Sequence, residues 1–276
     1  MVQKIDAHHH LWQYNPAIHG WIDESMQVVR RDFFPEDLLP ALEENGVEGS
    51  VLVQVEMTED DNAFSLEQAA KYSFIKGIVG WVDLLAPDLP GQLEQWKQQP
   101  VMKGFRHVAQ AEPNDFLARP EVIHGIGHLG KAGFTYDILI KPPQLDAALT
   151  LVRALPHQPF VVDHVAKPYI ATGEMGTWAA RMRELAAHEN VYCKLSGMVT
   201  EADWRHWEYG QLKPYMELVL EAFGPNRLMF GSDWPVCLVA AGYTQWVQTV
   251  ERFVSTLSEA EQQAIWRHNA VRFYNL

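Results

Sequence analysis

Eight short runs rich in β-branched and other apolar residues recur along the 276-residue chain, each separated from the next by a longer amphipathic stretch. The runs fall at about 3–8, 50–55, 77–83, 101–106, 134–140, 159–164, 190–196 and 227–232, and they read as strands. The intervening patterns predict helices over 35–45, 64–72, 121–132, 144–154, 176–188 and 215–223. Pro35-Glu36-Asp37 is a good first turn, and Asn45-Gly46 and Ala132-Gly133 are good stops. Strands that alternate with helices lie parallel, because each crossover returns the chain to the same end of the sheet. Eight of them favour closure into a single (β/α)8 TIM-like barrel of the α/β class. Runs such as Ser50-Val51-Leu52-Val53-Gln54-Val55 are almost continuously apolar, as strands covered by helices must be. An open doubly wound sheet usually carries a Gly-rich phosphate turn after its first strand, and here histidines stand in that place. No repeat, low-complexity tract or linker interrupts the pattern, so residues 1–276 read as one domain.

Charge narrows the partners. Lys plus Arg number 22 and Asp plus Glu 35, a net charge of −13, so a basic face for nucleic acid is not expected. The two cysteines, Cys193 and Cys237, cannot build a disulfide framework and read as buried thiols in a reducing compartment. The opening Met1-Val2-Gln3-Lys4-Ile5-Asp6 lacks an apolar leader, and no segment reaches the roughly 18 apolar residues of a membrane span. The expectation is a cytoplasmic protein without membrane partners. A homo-oligomer is compatible with this sequence, which does not choose the state.

Two connections exceed what a barrel needs, from Leu11 to about Phe34 and from Gly197 to about Pro214. Both follow the C-terminal ends of strands, where barrel active sites sit. The first strand ends Asp6-Ala7-His8-His9-His10, and residues two apart on a strand share a face, so His8 and His10 should project together. The sixth strand runs into His164, which alone would more often be a hydrogen-bonded core residue. The eighth leads to Asp233-Trp234-Pro235, where Asp233 could simply cap a helix. In a barrel, strands one and eight are neighbours, so His8, His10 and Asp233 meet at the rim. With His164 they offer three imidazoles and one carboxylate, suited to one catalytic divalent metal or to a water-activating cluster.

This set resembles the amidohydrolase superfamily. The runs Lys103-Gly104-Phe105-Arg106-His107, Cys193-Lys194-Leu195-Ser196-Gly197-Met198 and Phe230-Gly231-Ser232-Asp233-Trp234-Pro235 resemble its sugar-lactonase branch, the fuconolactonase- and rhamnonolactonase-like members, over essentially the whole chain. The resemblance implies that His8, His10, His164 and Asp233 are the catalytic core of a sugar lactone hydrolase. Unlike many metal-dependent relatives, the chain shows no further His or modified Lys on its middle strands. One ion, most naturally zinc, therefore fits better than two, and metal-free catalysis by imidazolium donors stays open.

Further candidates for substrate contact follow strand ends and long loops. Arg106 could hold a carboxylate or polarise a carbonyl, or form a structural ion pair, with His107 beside it. Lys194 and Lys167 are weaker, since most lysines are solvated. Trp12, Trp21, Trp204 and Trp207 could pack on the C–H faces of a sugar, and Asp137 could bond its hydroxyls or an internal partner. Asp233 would take the proton of the attacking water and return it to the ring oxygen. The alternatives are a mononuclear metal amidohydrolase or decarboxylase, and a non-catalytic carbohydrate-binding barrel.

Overall fold

The computed structural model describes residues 3–276; Met1 and Val2, which open the leader reading, lie outside the described residues. Eight strands form one parallel sheet in sequence order: β1 (Lys4–His9), β2 (Val47–Val53), β3 (Ile75–Gly80), β4 (Met102–His107), β5 (Thr135–Ile138), β6 (Phe160–Val162), β7 (Val191–Leu195) and β8 (Leu228–Phe230). All eight expected strands are present, and the barrel closes where the C-terminal ends of β8 and β1 meet. There Asp233 N donates to His8 O at 2.8 Å and His10 N to Trp234 O at 2.6 Å. Lower in the seam the buried Asp6 carboxylate takes the place of a ladder bond, accepting from Ser232 N at 2.8 Å and Tyr243 OH at 3.1 Å.

The outer layer is α1 (Pro35–Glu44), α2 (Glu59–Lys71), α3 (Leu89–Trp96), α4 (Pro120–Ala132), α5 (Leu145–Ala154), α6 (Gly176–Ala186), α7 (Tyr209–Phe223) and α8 (Tyr243–Val254), followed by α9 (Glu259–Gln263) and α10 (Asn269–Tyr274). Helix α2 starts five residues before the expected Phe64, because Thr58 caps it and Glu59, Asp60 and Asp61 favour its first turn. Helix α7 begins at Tyr209 and contains Pro214, the expected end of a loop. So near a helix start the ring costs a single bond, and Gln211 Oε1 accepts from Glu208 N to secure the entry. The loop after β7 is correspondingly shorter than the sequence suggests. Helices α3, α8, α9 and α10 lie outside the predicted ones; α3 opens Leu89-Pro90-Gly91, a turn-like composition.

The N-terminal half of the barrel is filled by Ile5, Ala7, Val51, Val53, Val79, Val161 and Met229, and α10 plugs that end with Phe273 and Tyr274. Polar groups are thereby displaced to the opposite mouth. Cys193 and Cys237 are free and buried. No helix among the described residues is long and apolar enough to cross a membrane.

Candidate active site

The inward face of β1 changes parity. Ile5 and Ala7 belong to the barrel core, yet His8 and His10 both reach the site, because the β1–β2 register shifts between Asp6 and His9. A bulge of this kind re-aims side chains at a strand end. His9 turns outward to Ser50 Oγ at 2.9 Å.

His164 is aimed by a rarer device. It begins four consecutive non-glycine residues in the left-handed region, His164, Val165, Ala166 and Lys167, with φ of 52°, 47°, 58° and 48°. Each costs on the order of 1 kcal/mol, and such strain persists where the surroundings over-determine it. Here Trp178 Nε1 donates to Val165 O at 2.8 Å, and Lys167 N closes the turn on His164 O at 2.8 Å. Two glycines make room for the imidazoles. A Cβ on Gly197 would lie 2.6 Å from His164 Nδ1, and one on Gly231 would lie 2.8 Å from His8 Cβ.

The result is convergence. His8 Nε2 and His10 Nε2 are 3.1 Å apart. Asp233 Oδ1 lies 3.3 Å from His10 Nε2, 3.7 Å from His164 Nε2 and 3.9 Å from His8 Nε2. Donors around one ion with bonds near 2.1 Å would stand about 3.4 Å apart, so His8, His10 and Asp233 have the spacing of a single divalent site, with His164 adjoining it through Asp233. The outer edges of the rings support that fit. His10 Nδ1 is 2.8 Å from Val53 O and His164 Nδ1 is 2.8 Å from Ser196 Oγ, so both can donate outward and leave Nε2 free. His8 Nδ1 faces Asp163 Oδ1 at 3.3 Å and Lys194 Nζ at 3.1 Å, and donation to Asp163 leaves its Nε2 as an acceptor, which Arg106 Nη1 faces at 3.2 Å.

Burial governs the protonation states. It pushes His8 well below the usual imidazole value, aided by the Lys194 charge, and brings His164 down to about 4 against the pull of Asp233. At His8 and His164 this favours the neutral imidazole, the form that binds metal, over an imidazolium donor. Burial would raise Asp233, but His164, the His10 hydrogen bond and Lys167 outweigh it and hold the carboxyl below its ordinary range.

Above this cluster opens a cavity of about 710 Å³, within the usual size range for a small-molecule site. His10, Arg106, His164 and Asp233 reach it; Trp12, Trp21 and Trp204 contribute aromatic walls, with Val55, Met57, Val108, Leu139 and Val236 as apolar surface. Lys141, Lys167, Glu56 and Glu201 add charge. Arg106 is anchored by Nη2 to Gln54 O at 2.5 Å and by Nη1 to Asp163 Oδ2 at 3.2 Å.

Four of the expected contacts lie elsewhere. Lys194 and Asp137 are fully buried beneath the cluster, paired at 2.5 Å, with Lys194 also 3.0 Å from Asp163 and Tyr274 OH donating to Asp137 at 2.8 Å. They are part of the barrel's polar floor and do not line the cavity. His107 stacks on Phe116 and pairs with Glu112 at 3.1 Å, away from the cavity. Trp207 donates to Ala240 O and is likewise not in its wall. Asp163 carried no expected role, although it precedes His164 and has the inward parity of Val161. Burial opposes its charge, but Lys194, His8 and Arg106 hold it ionised. Glu56, Lys141 and Glu201 had no signal beyond their place just after strands β2, β5 and β7.

The family model described as amidohydrolase matches residues 5–276. The chain belongs to the amidohydrolase family. This amidohydrolase is 39% identical to an L-fucono-1,5-lactonase of Burkholderia multivorans, over 99% of this chain and 96% of that protein. It is 25% identical to an L-rhamnono-gamma-lactonase of Scheffersomyces stipitis, over 64% of this chain and 60% of that protein. A zinc-bound crystal structure of an amidohydrolase from Burkholderia multivorans superposes with a TM-score of 0.95 at 38% identity, covering 99% of each chain. The barrel of this amidohydrolase is thus the fold of its relatives throughout.

Proposed function

We propose that the protein hydrolyses a sugar lactone, L-fucono-1,5-lactone or an aldonolactone of similar shape such as L-rhamnonolactone, to the open-chain aldonic acid. The observation that carries this reading is the meeting of His10, His164 and Asp233 at the floor of a Trp-walled cavity, with His8 directly beneath them, in a chain that is 39% identical to an L-fucono-1,5-lactonase. Ionised Asp233 takes a proton from water as it attacks the lactone carbonyl, then delivers it to the departing ring oxygen. Arg106, held by Gln54 O and Asp163, presents fixed positive charge at the same floor, where negative charge develops on the carbonyl oxygen. Trp12 and Trp204 offer apolar faces to the C–H surfaces of the sugar, and Lys167, Lys141, Glu56 and Glu201 offer partners to its hydroxyls.

A divalent ion, zinc by donor type, would be held by His8, His10, His164 and Asp233. When bound it would supply Lewis-acid polarisation of the lactone carbonyl. Lys194 is engaged by Asp137 and Asp163 below the cavity, which leaves no lysine placed to bridge a second ion. The decarboxylase alternative calls for a further middle-strand histidine, and His107 is turned to Glu112 instead.

The cavity lining carries three cationic side chains against three carboxylates. That balance favours a neutral polyhydroxylated substrate over one with several carboxylates, which would call for a cationic surplus. Acid release from a panel of aldonolactones and a pyrone dicarboxylate lactone tests this directly. The neutral sugar lactones should turn over faster, and a preference for the dicarboxylate would overturn the assignment.

A further inference from the structure

Outside the catalytic mouth, helix α4 carries a second pair of imidazoles. His124 and His128 are one helical turn apart and stand on the same face. Their Nε2 atoms are 3.1 Å apart, with ring centroids at 4.6 Å and planes crossing at 88°. Two like nitrogens at that distance can share at most one proton between them. A cation bound about 2.05 Å from each would subtend roughly 98°, between the octahedral and tetrahedral angles. His124 is exposed and His128 half-buried. His124 borders a groove of about 400 Å³ formed with Pro120, Ile123, Gly127, Lys131 and Leu155, which leaves space for water on an ion at its side of the pair. Lys131, one turn further on, is the opposing charge.

We propose that His124 and His128 form a surface bis-imidazole chelate for a borderline divalent cation, zinc or its neighbours nickel and copper, with water completing the coordination. Two neutral nitrogens select such ions over magnesium and calcium, which prefer oxygen. With only two protein ligands the ion exchanges readily and is lost on desalting, unlike one held by the four-donor cluster. The site lies on the outer helical layer and is independent of the lactonase reading.

The catalytic cluster also takes zinc, so the readout must be local. Hydrogen exchange of the full-length protein, followed by mass spectrometry of peptides from α4, supplies it. Added Zn²⁺, but not Mg²⁺, should slow exchange across α4 in the wild-type chain. His124→Gln and His128→Gln should each weaken that protection at least about tenfold, because a single imidazole loses the intramolecular second ligand. Both variants should keep wild-type thermal stability and lactone hydrolysis. Absence of zinc-dependent slowing in the wild type, or equal slowing in either single variant, would overturn the proposal.

Discussion

Replacing Lys194 by Met removes the cation that sits 2.5 Å from Asp137 and 3.0 Å from Asp163, at a point with no access to water. Asp163 keeps Arg106 at 3.2 Å, but Asp137 keeps only the Tyr274 hydroxyl. Asp137 must then fold either ionised without its counter-charge or protonated. Protonation sets the ceiling. From an ordinary value of 3.8, neutralising the carboxyl at pH 7 costs about 4 kcal/mol, at roughly 1.4 kcal/mol per pH unit. That agrees with the roughly 3–5 kcal/mol lost when one partner of a buried pair is removed. The sign follows from proton uptake: the folded variant binds a proton that the unfolded chain releases, so its stability falls as pH rises through and above 4. Burial already raises Asp137 to about 6 in the wild type, so denaturant unfolding at pH 8, 7 and 6 should show a deficit that shrinks by about 1.4 kcal/mol per unit on acidification and levels off below that. Adding Asp137→Asn should recover most of it, since the amide oxygen still accepts from Tyr274. A deficit below about 1 kcal/mol at pH 8, or one equal at pH 6 and pH 8, would refute the counter-charge reasoning.

Gly197→Ala should cost about 1–3 kcal/mol and reduce turnover, because the residue has φ of +60° and its new Cβ would press on the His164 ring; thermal unfolding and initial rates check both. Burial raises Asp61 to about 6 although the Val55 and Glu56 amides favour its charge. The folded state therefore holds a proton there that the unfolded chain has lost, so the Asp61 contribution to stability should decline between about pH 4 and 6, and Asp61→Asn should gain stability relative to the wild type across that window. Elemental analysis after desalting should find no more than one divalent ion per chain, and two would contradict the single four-donor cluster.

Much of the barrel was legible because its strands are buried on both faces, which leaves eight apolar runs that polar loops cannot imitate. Strand positions were right to within a few residues. The errors came where capping chemistry lies inside polar sequence, as at Thr58–Asp61, or where a tolerated Pro214 looks like a boundary. The four-residue core of the site was legible through position alone, since strand ends at one mouth of a barrel must converge. What alternation could not supply was which polar strand residues stop below the mouth. Asp137 and Lys194 have the inward parity of Val161 and Arg106, yet they sit one layer too deep to meet a ligand. Nor could composition foresee the left-handed turn at His164–Lys167, since none of its residues is the glycine that such a backbone favours.

The central claim is that Asp233 moves the proton in lactone hydrolysis, and one comparison tests it most directly. Initial rates of acid release from L-fucono-1,5-lactone should be measured for the wild-type protein and Asp233→Asn, both verified as folded by thermal unfolding. Asn preserves size and the Asp233 backbone bond to His8 while removing the base, so the unfolding temperature should change little and the rate should fall by a factor of about 10² to 10⁴. An Asn variant that hydrolyses the lactone at a near wild-type rate would contradict the account.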